Sequence, residues 1–150
     1  MTTVLVLNGP NLNLLGTREP ETYGTATLDD VEKSCRAVAA EFDWDLDFRQ
    51  TNFEGELVDW IQEAAEEQRS GELVGVVLNA GAYTHTSIAL ADAISGGDVR
   101  VVEVHISNVH QREAFRHHSY ISPVAAGIII GVGVAGYPLG LRALHALTDG

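Results

Sequence analysis

The chain has 150 residues, and its 21 acidic against 9 basic side chains give a formal net charge of −12. A domain of that length buries about 68–70% of the surface its unfolded chain exposes, enough for one core. The charge argues against nucleic acid or an anionic membrane as partner, and no apolar run approaches the roughly 20 residues of a membrane span.

No charged-then-apolar leader opens the sequence, so the expectation is one soluble, cytoplasmic domain over residues 1–150. The basic residues are eight arginines and one lysine, so an anionic ligand would be held by a few local arginines against an unfavourable distant field that salt screens. The single cysteine, Cys35, excludes an internal disulfide and falls at a helix-face position, as a small core residue does.

Taken in order, the apolar run Val4 to Leu7 predicts a first strand. From Asn8 to Gly24, NGPNLNLLGTREPETYG, there is no apolar period, and the connection is far longer than the two to six residues usual between strand and helix. A loop of that length is functional more often than a short one. It carries Arg18 and Tyr23 between Gly16 and Gly24, which suits a lid at about 16–26. By itself the loop reads more simply as a surface loop whose tyrosine packs on the body of the protein.

A helix follows, with Leu28, Val31, Cys35, Val38, Ala39 and Phe42 on one face and Thr27 and Asp30 placed as a capping pair. Leu46 and Phe48 alternate with charged residues as a half-exposed strand. Leu57, Ile61, Ala64 and Ala65 mark a second helix stopped by Gly71, whose acidic face is simplest as a solvated one. Leu73 to Leu78 is valine-rich, as a strand buried on both faces is. A polar loop from Asn79 leads into a short alanine-rich helix through Asp92. Arg100 to Ser107 is a fourth strand, Ala125 to Ile130 a fifth, and Leu139 to Leu147 a closing helix.

This alternation is the signature of an α/β fold: a doubly wound five-stranded parallel sheet with helices on both faces. At this length the flavodoxin-like order 2-1-3-4-5 fits, which makes strands 1, 3 and 4 neighbours. Ligands bind outside the carboxyl ends of such strands, here the positions of Asn8, Asn79 and His105 to Ser107. Convergence of three polar clusters beneath the long loop favours the functional reading of that loop.

Other motifs carry less. Gly131 to Gly136 spells G-x-G-x-x-G, yet it opens the last helix with no strand to complete a βαβ unit, so close backbone packing is the simpler reading. No Walker A lysine, metalloprotease H-E-x-x-H, cysteine ligand set or nucleophile elbow is present, so no metal site is expected. Asparagines stand where a phosphoacceptor receiver would want aspartates. Lys33, the lone lysine, falls on the outward face of the first helix, unsuited to Schiff-base chemistry.

Five stretches in order, N-G-P-N-L-N-L-L-G-x-R-E-P-x-x-Y-G near the start, E-G-E-L from Glu54, N-A-G-A-Y-T-H-T-S from Asn79, E-V-H-I-S-N from Glu103 and R-E-x-F-R-H-H-S-Y from Arg112, resemble type II 3-dehydroquinate dehydratase. The resemblance runs from Leu5 to about Tyr137. It implies reversible dehydration of 3-dehydroquinate to 3-dehydroshikimate in the shikimate pathway, by anti elimination through an enolate and without a cofactor. Position by position, it implies Tyr23 as the base, supported by Arg18, and His105 as the general acid, oriented by Glu103. Asn11 would place a water against the enolate oxygen. Asn79, His85, Ile106, Ser107 and Arg116 would bind substrate, with Arg112 associated with the closed lid. Asp92 would reach a neighbouring subunit's site in a trimer, four trimers forming a homododecamer.

The chemistry suits these residues. A phenol ordinarily titrates near 10 and a base working at neutral pH should sit nearer 7, a change of about 4 kcal/mol. Burial pushes a phenol the wrong way, so a close cation such as Arg18 is needed. Arg116 offers a fork for a carboxylate, and Asn79, His85 and Ser107 suit hydroxyls. From the residues alone, a non-catalytic flavodoxin-like module binding an anionic ligand such as a flavin, or an acidic scaffold subunit, remain open alternatives.

Overall fold

The computed structural model describes residues 1–17, 21 and 24–149. Arg18 and Tyr23 lie outside the described residues, as does part of the lid expected at about 16–26. Among the described residues, five strands alternate with four α-helices. The strands are β1 (Thr3–Asn8), β2 (Asp45–Gln50), β3 (Leu73–Asn79), β4 (Val101–His105) and β5 (Gly127–Ile130). The helices are α1 (Leu28–Glu41), α2 (Glu54–Arg69), α3 (Ile88–Gly97) and α4 (Gly136–Asp149). Every strand pair is parallel and the order is β2-β1-β3-β4-β5, the flavodoxin-like arrangement expected.

Alternation along the strands divides the core in two. Val4, Val6, Val77, Val102 and Val104 point to one face, where α1 supplies Val31, Cys35 and Val38, and α4 supplies Tyr137, Leu141 and Leu144. Leu5, Leu7, Val76, Leu78 and Val101 point to the other, against Leu57 and Ile61 of α2 and Leu90 and Ile94 of α3. All seven residues of β3 are buried, as a strand covered on both sides must be. Each large apolar side chain so enclosed contributes about 1.5–3 kcal/mol. Helix starts are fixed locally: Thr27 Oγ1 accepts from Asp30 N–H at 3.2 Å while Asp30 Oδ2 accepts from Thr27 N–H at 3.0 Å, and Ser87 Oγ caps α3 from Leu90 N–H at 3.0 Å.

Several boundaries differ from the sequence expectation, for packing reasons. Helix α3 continues past Asp92 to Gly97, because Ile94 is part of the core and Gly97 lies against α2, where an added Cβ would meet Ala65 Cβ at 2.8 Å. Helix α4 starts at Gly136 rather than Leu139; Gly140 gives it close approach to Val77, at 3.1 Å from an added Cβ. Strand β4 ends at His105 rather than Ser107, and β5 begins only at Gly127, after a 3-10 turn over Ser122–Val124. The opening loop is anchored at its start: Leu12–Leu14 form a 3-10 turn, and Leu12 and Leu15 enter the core beside α1. In the glycine motif, Gly131 and Gly133 take φ of 85° and 69°, and Gly136 abuts Val104, which is packing rather than a phosphate cradle.

Candidate active site

The carboxyl ends of β1, β3 and β4 meet at one cleft of about 220 Å³. Gly9, just past β1, donates its N–H to Asn79 O at 2.8 Å and crosses so close to β3 that an added Cβ would lie 2.3 Å from Ala80 O. That crossing delivers Asn11 to the rim in a left-handed conformation, φ 68°, with its N–H held by Asn52 Oδ1 at 3.0 Å. Asparagine tolerates that backbone region better than most residues.

Asn11, Asn79, His85 and His105 line the cleft together with Ile106, Ser107, Arg112 and Arg116. Asp92 does not: it is exposed on α3, in a separate groove with Gln62, Glu66 and Arg69 of α2. Arg116 is half-buried, paired with Glu113 Oε2 at 2.7 Å and lying 5.0 Å over the Phe115 ring. Arg112 is held at its backbone, where its carbonyl accepts from His117 Nε2 at 3.0 Å.

Glu103 lies behind His105, on the same strand face two residues earlier, and is almost completely buried. Its Oε2 is 2.5 Å from His105 Nε2. A carboxylate only accepts, so Nε2 carries the proton there, and any proton His105 gives to a ligand leaves from Nδ1. Three hydroxyls complete the carboxylate's partners: Ser122 at 2.5 Å on Oε1, and Ser119 at 2.7 Å and Thr84 at 3.0 Å on Oε2. Ser119 Oγ receives the N–H groups of Ile121 and Ser122, so its own proton is turned to Glu103. Burial alone would push the Glu103 carboxyl up. The hydrogen bond and charge of His105, with Ser122 and Ser119, outweigh that and hold it at about 2, against an ordinary 4.5.

His85 faces His105 with ring centroids 6.4 Å apart and planes 19° from parallel. Its Nδ1 donates to His118 O at 2.8 Å, leaving Nε2 as an acceptor in the neutral ring. Desolvation lowers its pKa, opposed by that carbonyl and reinforced by the neighbouring His105 and Arg116, so its neutral form is favoured.

Sequence reasoning missed Thr84, Ser119 and Ser122, because hydroxyls in polar loops carry no period. It also missed Asn52, whose side chain fixes the backbone of Asn11. The E-V-H spacing was the available signal for the Glu103–His105 pair, since residues two apart on a strand share a face.

A family model described as dehydroquinase class II matches residues 2–145. A 3-dehydroquinate dehydratase of Marinomonas sp. (strain MWYL1) is 62% identical over 144 residues, covering 96% of each chain. One from Variovorax paradoxus (strain S110) is also 62% identical, over 96% of this chain and 99% of its own. The crystal structure of the type II dehydroquinase from Butyrivibrio crossotus DSM 2876 superposes with a TM-score of 0.90 at 39% identity, covering 96% of this chain and 97% of that one. With a family match over nearly its whole length and relatives at this identity, the chain belongs to the type II dehydroquinases.

Proposed function

We propose that the cleft dehydrates 3-dehydroquinate to 3-dehydroshikimate by anti elimination through an enolate, with Tyr23 as base and His105 as general acid. Membership of the family makes the chain a hydro-lyase of the shikimate pathway and so of aromatic amino acid biosynthesis. The observation that carries the assignment of roles is the His105–Glu103 pair at a cleft whose other polar side chains are Asn11, Asn79, His85, Ser107, Arg112 and Arg116.

The Tyr23 phenolate, kept charged by Arg18, removes the C2 proton, and the electron pair moves onto the substrate carbonyl oxygen. A water held by Asn11 stabilises that oxygen where charge develops. The enolate then expels the hydroxyl, which takes a proton from His105 Nδ1 and leaves as water. A fixed carboxylate at Glu103 holds that imidazole by its Nε2–H, which leaves Nδ1 as the nitrogen that works in this step. Asn79, His85 and Ser107, with the backbone at Ile106, suit the hydroxyls, and Arg116 the carboxylate, with Arg112 closing over them. Lys33 is exposed on α1 and not desolvated, which does not suit it to an imine route.

Around this chemistry we place one catalytic domain over residues 1–150 with a lid at about 16–26, working in the cytoplasm. In the same reading Asp92, which is exposed on α3, serves a neighbouring subunit in a homododecamer built as four trimers. Among the described residues no helix is long and apolar enough to cross a membrane.

Mixing the protein with 3-dehydroquinate should produce conjugated-enone absorbance, and borohydride added with substrate should leave activity intact. A yellow protein giving no enone signal would favour the ligand-binding module, and substrate trapped on Lys33 would overturn the enolate mechanism.

A further inference from the structure

Beneath the cleft a chain of hydrogen bonds runs through the molecule that none of the steps above uses. Asn8, the last residue of β1, donates Nδ2 to Arg49 O at 3.1 Å. A carbonyl only accepts, so the amide of Asn8 must turn its Oδ1 the other way, and there it receives the Tyr137 hydroxyl at 2.7 Å. The phenol has one proton. Having given it to Asn8, its oxygen accepts from Asn79 Nδ2 at 2.8 Å. Asn79 Oδ1 in turn accepts from Gly81 N–H at 3.1 Å. Each link dictates the next, from the carbonyl on β2 to the amide that lines the cleft.

Tyr137 is wholly buried, and burial, only partly offset by the Asn79 bond, pushes its hydroxyl well above the ordinary phenol range. It therefore keeps its proton at every pH at which the protein works, and the polarity of the chain does not reverse. Asn8 and Asn79 are buried as well, so a wrongly turned amide would set donor against donor or acceptor against acceptor along the chain.

From this connectivity we propose that Tyr137 is a positioning residue for substrate binding: it fixes the Asn79 carboxamide with nitrogen inward, so that its second N–H is a donor for an oxygen of the substrate. Asn79 thus recognises an acceptor oxygen, and its orientation is set from β1 and α4 together with the Gly81 N–H on its Oδ1. This rests on Asn79 binding substrate, and the experiment separates the two claims.

Steady-state kinetics with 3-dehydroquinate are measured for wild type, Asn79→Ala, Tyr137→Phe and the double variant, with circular dichroism as the check of fold. Asn79→Ala should raise KM about tenfold, the size of one hydrogen bond. Tyr137→Phe should raise KM by a similar factor while kcat stays within about twofold and the shape of the pH profile is unchanged, since its donor is lost by misorientation rather than by loss of an acid or base. In the Asn79→Ala background Tyr137→Phe should change KM by less than about twofold, because both act through one amide. Asn8→Ala gives a second route that keeps the phenol: freed of its acceptor, the hydroxyl competes with the Gly81 N–H for Asn79 Oδ1 and loosens the amide, again raising KM only when Asn79 is present. A wild-type KM in folded Tyr137→Phe and Asn8→Ala, or effects that multiply with Asn79→Ala, would overturn the positioning role alone. A wild-type KM in Asn79→Ala would remove the binding role of Asn79, and the inference with it.

Discussion

The Glu103 carboxylate makes a pH-dependent contribution to stability whose size follows from its surroundings. Its pKa is about 2 folded against an ordinary 4.5. A carboxyl depressed by folding stabilises fully above the unfolded value and loses that contribution as pH falls through the folded one. At about 1.4 kcal/mol per unit the full contribution is roughly 3 kcal/mol at neutral pH, of which about 2 kcal/mol is gone by pH 3. Glu103→Gln removes the titrating group. It also places an amide nitrogen against donors that want an acceptor, so the variant should be less stable at pH 7. The decisive comparison is the change in unfolding free energy between pH 7 and pH 3, from urea denaturation of both proteins. The wild type should lose about 2 kcal/mol more than Glu103→Gln over that interval. The exposed acids whose pKa values are also lowered, Asp30 and Glu113, are common to both and cancel. Because His105 is coupled to this carboxylate, the comparison is read beside the Glu103 carboxyl signal in NMR: equal losses with that carboxyl titrating at its ordinary 4.5 in the folded protein would mean that Glu103 is not held as an ion, and its role beside His105 would fall with that.

Other expectations follow from single features. Gly9→Ala should destabilise by more than about 2 kcal/mol in denaturant titration and lower activity, because the new Cβ meets backbone of Ala80 that cannot yield without shifting Asn79. Cys35 is wholly buried and its thiol is pushed up to about 12 by that burial, so a thiol reagent should leave native protein unlabelled and label it fully in denaturant. Arg18→Ala should move the basic limb of the pH–rate profile to higher pH, and an unchanged limb would count against a phenolate kept charged by that arginine.

The sheet was legible because its strands are punctuated by polar residues at their carboxyl ends. A valine-rich run ending at Asn79 and another ending at His105 place those residues side by side once the winding order is known. Two helices run further than their apolar periods suggest. Gly97 of α3 lies against Ala65 and Gly136 of α4 against Val104, contacts that no helical period announces. The same limit hid the support of the site. Ser119, Ser122 and Tyr137 meet Glu103, Asn8 and Asn79 only through long-range contacts, and no local pattern announces a hydroxyl aimed at a residue 16 or 129 positions away. Leu12 and Leu15 were overlooked for a related reason: they anchor a loop, so they follow no helical or strand period.

The claim on which the account turns is that a tyrosine of the opening loop takes the proton while His105 gives one. Turnover of 3-dehydroquinate by Tyr23→Phe, followed as enone absorbance beside folded wild type, tests it most directly. The expected result is a fall in kcat of roughly 10²–10⁴ with little change in KM. A kcat within twofold of wild type would contradict it.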